Sequence, residues 1–149
     1  MSDTRPFEGV NPQERIARFL RESQLAPEDA EIVPLTADAS DRRYVRVVRG
    51  ADAPIVLALH AAPIAFDALP FANVAELLHR MPVPAPEILG HSDTDGILAL
   101  TDLGDCTLQA HLTATGNAAR LDLYEQAVSL IDTLQRRGRE LAADRYVPY

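Results

Sequence analysis

Ile16, Phe19 and Leu20 recur at helical spacing behind Asn11-Pro12-Gln13-Glu14. That run starts a helix for physical reasons: Asn caps the free amides, Pro fits the first helical position, and Glu three residues after the cap returns a hydrogen bond. The expected helix spans residues 11–24, with Arg15, Arg18, Arg21 and Glu22 in solvent. The period then shortens to two. Ile32–Thr36 and Arg42–Arg49 read as a hairpin, Gly50-Ala-Asp-Ala-Pro54 as the next turn, and Ile55-Val-Leu-Ala-Leu-His60 as a third strand whose unbroken apolar run predicts burial on both faces. Helical spacing returns in Phe71, Val74, Leu78 and Met81, predicting a helix from Asp67 to Arg80 with Glu76 on its surface. Pro82, Pro84 and Pro86 force an extended connector. Glu87–Gly90 and Ile97–Thr101 form a second hairpin around an Asp-Gly turn, in which Asp93 and Asp95 read as turn residues. A short helix over Cys106–Ala114 and a long one over Ala118–Ala142 follow. The long helix is opened by Asn117 and carries Leu121, Tyr124, Ala127, Val128, Ile131, Leu134 and Leu141 along one face. The pattern is α+β: an antiparallel sheet of about five strands with a helix on it, then two helices.

Composition narrows the chemistry. The 149 residues include 47% hydrophobic side chains, enough for a core, and a formal charge of −8 argues against a nucleic-acid surface. Every one of the 14 basic residues is arginine. Cys106 is the single cysteine, so an intrachain disulfide is excluded and a reducing compartment is expected. The N-terminal residues have no apolar signal core and no stretch suits a membrane span, which leads to the expectation of a cytoplasmic protein without a membrane partner.

The candidate chemistry lies in Leu35-Thr-Ala-Asp-Ala-Ser-Asp-Arg-Arg-Tyr-Val-Arg-Val47. Small residues at Ala37, Ala39 and Ser40 let a turn backbone approach a ligand, and successive amides in such a turn form an anion-binding concavity. Strand parity puts Arg42, Tyr44 and Arg46 on one face and Arg43, Val45 and Val47 on the other, so the arginines cannot all serve one phosphate. A solvated hairpin with outward arginines is the other reading of these residues alone.

The run Thr36–Arg46 resembles the nucleotide hairpin of the aminoglycoside phosphotransferase-like family, and most of all the branch that phosphorylates N-acetylated cell-wall amino sugars at the anomeric position. Ile97-Leu-Ala-Leu-Thr-Asp-Leu-Gly-Asp105 resembles the family's hinge, which usually ends in Glu-Asp-Leu-Gly, and Met81-Pro-Val-Pro-Ala-Pro-Glu-Ile-Leu-Gly90 its segment before the hinge. Tyr146-Val-Pro-Tyr149 resembles a segment that precedes the catalytic loop. The resemblance implies a protein-kinase-like N-terminal lobe over residues 1–101, a hinge at 102–105, and the first helices of a C-terminal lobe over 106–149. It implies ATP as cofactor, with Mg²⁺ expected only in a full-length enzyme, and a small sugar as acceptor.

By this resemblance, nucleotide contacts come from Ala39, Ser40, Asp41, Arg42 and Arg43 in the hairpin, Val56, Ala58 and His60 on the third strand, and Leu100, Thr101, Asp102 and Leu103 at the hinge. In the resembled fold the third strand roofs the adenine with a small residue, which suits Ala58, and then offers a phosphate-binding lysine. Either His60 or Ala58 falls at the lysine's place, depending on register. The family's hinge glutamate is Thr101 here, a swap that backbone pairing tolerates. No catalytic residue and no metal ligand is assigned: His91-Ser-Asp93 lacks the glycine of the family's His-Gly-Asp, and no metal-binding Asn follows. Two functions are therefore expected as alternatives. One is the ATP-binding portion of a small-molecule phosphotransferase, inactive as this stretch alone; the other is a non-catalytic nucleotide-binding or interaction module on the same fold. The long last helix is expected to expose an apolar stripe that promotes self-association.

Overall fold

The Asn11 side chain accepts a hydrogen bond from the Gln13 amide at 2.9 Å, and Pro12 occupies the first turn, so α1 (Pro12–Ser23) begins where its cap dictates. It ends at Gln24, whose left-handed backbone returns its N–H to the Leu20 carbonyl. The computed structural model describes residues 7, 10–27, 29–35, 42–114 and 116–141. After α1 come β1 (Glu31–Pro34), β2 (Arg43–Arg49), β3 (Asp52–Leu59), a 3₁₀ turn at Phe66–Ala68, α2 (Pro70–Arg80), β4 (Ile88–Ser92), β5 (Ile97–Thr101), α3 (Leu108–Ala114) and α4 (Asn117–Glu140). The five strands pair antiparallel in the order β1-β2-β3-β5-β4. The fold is α+β, with β3 central as its apolar run predicts.

Several boundaries differ from the sequence pattern. β3 starts at Asp52, because the turn closes at Gly50-Ala51 with an irregular register before Arg49 pairs with Asp52. α2 starts at Pro70, since the residues before it take the 3₁₀ turn and Pro suits a helix start. α3 starts at Leu108, not Cys106, and Gly116 rather than Asn117 is the N-cap of α4. β4 runs on to Ser92, and β1 stops at Pro34.

The described residues fall into two compact units, one within Met1–Ala72 and Pro86–Asp102 and the other within Asn73–Ala85 and Leu103–Tyr149. In the first, strand alternation divides the core between two faces of the sheet. Val47, Ile55, Leu57, Leu59, Ile97 and Ala99 pack with Ile16, Phe19 and Leu20 of α1. Ala58, Leu98 and Leu100 face the other way, under Tyr44, Ile64, Phe66, Leu69, Phe71 and Ile88. Each large apolar side chain buried in this way contributes about 2 kcal/mol. Gly90 lets α1 come close: a Cβ there would lie 3.3 Å from Leu25 and 3.8 Å from Phe19.

The expectation that Arg15 is solvated is corrected, whereas Arg18 is exposed as expected. Arg15 is 4% exposed, with its guanidinium 3.7 Å from the Phe7 ring centroid. It donates to the carbonyls of Asp95 at 2.8 Å and His60 at 2.9 Å. Arg18 binds the Asp95 carboxylate, which is itself 1% exposed and also accepts from the Ser92 hydroxyl at 3.1 Å. Asp95 is thus a turn residue, as read, and also the buried anchor that ties α1 to the β4–β5 turn. The physical reason is helical phase: Arg15 adjoins Ile16 and lies four residues before Phe19, on the buried stripe.

In the second unit, Arg120 on α4 donates to the Leu112 carbonyl of α3 at 2.7 Å, and Met81 is buried against α4, its sulfur 3.8 Å from where a Cβ on Gly138 would stand. Leu121, Tyr124, Val128 and Ile131 are each more than half exposed, and Leu134 is exposed too. Among the described residues no helix is long and apolar enough to cross a membrane.

Candidate functional site

Register decides which third-strand residues neighbour the end of β5. Arg46 on β2 stands opposite Val56 on β3, and Val56 opposite Leu100 on β5, so the three form one row on the face away from α1. Tyr44, Ala58 and Leu98 form the next row, two residues farther from the end of β5. Ala58 is 2% exposed beneath its aromatic and aliphatic cover, whereas Val56 is only half-buried. Of the two, Val56 is the one with accessible surface, in the row nearer the end of β5.

Thr101 closes β5 with both of its polar functions. Its N–H donates to the Glu87 carbonyl, and its hydroxyl oxygen accepts from the Glu87 N–H, each at 3.0 Å. Thr101 therefore lengthens the β4–β5 pairing by one step. Asp102, the next residue, turns its carboxylate onto the sheet face, where its side chain is 3% exposed. Arg46 grips it through two nitrogens: Nε contacts Oδ2, and the second nitrogen donates to Oδ1 at 3.0 Å. A two-point guanidinium–carboxylate contact fixes both position and orientation. Leu103 is exposed and belongs to the second unit.

At the opposite end of the row system lie the phosphate-side candidates. His60 follows the last residue of β3, and its N–H donates to the Gly96 carbonyl at 2.8 Å. Its Nε2 is buried and has no hydrogen-bond partner among the described residues. Burial lowers the imidazole pKa, and the positive charges of Arg42 and Arg15 lower it further. His60 is therefore neutral at pH 7, and Arg42 is close enough to act on it electrostatically. Arg43 begins β2 opposite Leu59 with an exposed side chain, on the parity of Val45 and Val47. Arg42 precedes β2 and is half-buried. Ala39, Ser40 and Asp41 lie outside the described residues.

The roles that sequence reasoning missed are Arg46 as the partner of Asp102, and Arg15 and Asp95 as buried polar residues, with the exposed Arg18 bound to Asp95. Arg46 carried a signal, since it shares a strand face with Tyr44, but its partner follows β5, a strand that is not the neighbour of β2. His91 and Asp93, set aside as a catalytic pair, bond to each other at 2.9 Å in the exposed turn, with the imidazole stacked on Phe66 at 3.9 Å. No group of three or more His, Cys, Asp or Glu side chains among the described residues could hold a metal ion.

The chain is 37% identical over 107 residues to N-acetylmuramate/N-acetylglucosamine kinase of Pseudomonas aeruginosa. The match covers 72% of this chain and 30% of that protein, so it spans under a third of the relative's length. No family model matches the chain. No solved structure matches it. The sequence similarity, over a stretch that includes sheet residues, makes this chain a relative of a sugar kinase and gives it a kinase-like relationship.

Proposed function

We propose that the first unit is the nucleotide-binding lobe of a kinase-like small-molecule phosphotransferase, that ATP is its nucleotide, and that an N-acetylated amino sugar is the acceptor. The acceptor is taken from the activity in the relative's name and from the hairpin run. The observation that carries the reading is the row Arg46–Val56–Leu100 ending at Asp102. It places a half-open aliphatic surface beside the peptide that follows the last edge-paired residue, and such a combination suits a flat base held by main-chain groups. In this reading Val56 roofs the adenine, and the peptides of Asp102 and Leu103 pair with it. The Thr101 amide is already bonded to Glu87 and takes no part.

With Val56 as roof, Ala58 stands at the lysine's place and carries no charge. Phosphate contacts then fall to residues 39–42, of which 39–41 lie outside the described residues, and to Arg43, with His60 as a neutral hydrogen-bonding group. The described residues do not fit a Mg²⁺ site, and no step is derived through one. Phosphoryl transfer also needs a carboxylate or equivalent to position the acceptor, and none is assigned within these residues. A cytoplasmic location and self-association through α4 belong to the same proposal.

Titration calorimetry with ATP and with GTP tests it. With only base and partial phosphate contacts, affinity on the order of 0.1 mM or weaker is expected, with ATP preferred. Replacing Ser40 and Arg43 together weakens it further. Absence of binding, or equal binding of both nucleotides, contradicts the reading.

A further inference from the structure

His91, next to last in β4, stands opposite Leu98 of β5, and its imidazole is held from two directions. The ring stacks on Phe66 at 3.9 Å between centroids, with the two planes 6° apart. Its Nδ1 lies 2.9 Å from one carboxylate oxygen of Asp93, whose other oxygen accepts the Phe66 N–H at 3.3 Å. Asp93 is fixed in turn through its main chain, where its carbonyl accepts from the Ile64 and Gly96 amides at 3.0 and 3.2 Å. A carboxylate can only accept, so in the neutral ring the proton sits on Nδ1 and the lone pair on Nε2. Among the described residues the imidazole has no hydrogen bond besides the one at Nδ1, and its side chain is 40% exposed. Stability does not account for this arrangement. A pair 40% and 49% exposed contributes little, and the turn is already anchored by the buried Asp95 through Arg18 and Ser92. What the pair does supply is a fixed tautomer, a fixed ring plane and a negative charge behind an available lone pair, which together define an oriented nucleophile.

We propose that Nε2 of His91 is a modification site for small phosphoryl donors of the phosphoramidate class. The Nε2 lone pair forms a bond to phosphorus while the donor's own P–N bond breaks, and the donor nitrogen leaves as ammonia with the bonding electron pair. The proton on Nδ1 stays in place. The ring therefore becomes positive as the new bond forms, and the Asp93 carboxylate at Nδ1 balances that charge. Every residue in the arrangement lies on the β4–β5 hairpin or in the segment Ile64–Phe66, so the proposal is independent of the nucleotide-lobe reading and of its residues.

The experiment treats the folded chain with potassium phosphoramidate, follows each histidine by peptide mass spectrometry, and locates the phosphorylated nitrogen by NMR. The exposed His79 in the last turn of α2 is the internal reference. His91 is expected to react at Nε2 about fivefold faster than His79, the scale of an exposed charge pair. The advantage disappears in concentrated urea, where both histidines sit on an unfolded chain. Asp93→Asn keeps the side-chain shape and an oxygen for Nδ1–H but removes the charge, and it lowers the His91 rate about fivefold while the His79 rate stays the same. Circular dichroism checks that the variant is folded. If it is not, the wild-type comparison with and without urea carries the test. Equal rates at His91 and His79 in the folded chain overturn the proposal, as does a preference for His91 that survives in urea, or phosphate found on Nδ1. A folded Asp93→Asn with the wild-type His91 rate also overturns it, and would leave the pair as a tie between the turn and Phe66 alone.

Discussion

Arg15 of α1 donates to the main-chain carbonyls of both Asp95 and His60, so one buried guanidinium joins the helix to the β4–β5 turn and to the end of β3. Its loss leaves two buried carbonyl oxygens without a donor. Arg15→Met keeps the stem and removes the donors, and should cost about 3 kcal/mol of unfolding free energy. Urea denaturation monitored by far-UV circular dichroism measures this, and a change within experimental scatter would contradict it.

Asp95 sets an acid limit on stability. The hydrogen bond from Arg18 is the largest cause of its lowered pKa, and the Ser92 hydroxyl lowers it too, against an opposing effect of burial. A carboxyl with a depressed folded pKa stabilises fully above its unfolded value, about 3.9, and that contribution is lost as pH falls through the lower folded value. Asp95→Asn should therefore lower stability at pH 7, and the difference from wild type should shrink as the solution is acidified below pH 4. Thermal melts across that range decide it.

His60 adds a second pH dependence of the same sign through a different cause. Burial and the Arg42 and Arg15 charges disfavour the imidazolium in the folded chain, so protons bind the unfolded chain first. Stability is full above the unfolded pKa of about 6.5 and declines as pH drops below it. His60→Leu removes a buried nitrogen that has no hydrogen-bond partner among the described residues. It should leave stability at pH 7.5 unchanged or raised, and flatten the profile between pH 6.5 and the lowered value.

Two glycines with similar backbone should respond differently to alanine. Gly96 has φ +59°, and a Cβ there would lie 2.3 Å from the Ala62 carbonyl oxygen, whereas Gly50 has φ +66° and open space around it. Gly50→Ala costs about 1 kcal/mol of left-handed strain alone. Gly96→Ala adds a backbone clash and should exceed about 3 kcal/mol. Equal effects would mean that the Gly96 turn relaxes freely.

Much of this architecture was legible in the sequence because local chemistry and tertiary structure agree. Asn11-Pro12 caps α1, the period-two runs become strands, and the unbroken run at Ile55–Leu59 is central in the sheet. Arg15 was misread because charge on a helix usually means solvent. The phase shared with Phe19 could have exposed the error, but the carbonyl partners come from His60 and Asp95, far along the chain. Asp102 was read as a hinge residue, yet its partner could not be named without knowing that β3 alone separates β2 from β5. The choice of Val56 over Ala58 beside the hinge depends on the same pairing, which composition and spacing do not encode.

The α4 stripe gives a prediction about solution behaviour. Tyr124, Val128 and Ile131 are exposed at helical spacing, and contiguous apolar patches of this kind promote association. Val128→Glu with Ile131→Glu should reduce self-association and dye binding at working concentration. Sedimentation velocity of the two proteins compares them directly, and identical behaviour would remove the stripe as the cause.

The central claim is that the surface beside Val56 and the Asp102–Leu103 peptide receives adenine. Backbone amide chemical shifts, followed while ATP is added to isotope-labelled protein, test this most directly. The account predicts saturable shifts at Val56, Leu100, Asp102 and Leu103, reproduced in part by adenosine, with residues of α1 unmoved. Shifts confined to α1 or α4, or none at Val56 and the hinge at millimolar ATP, would contradict it.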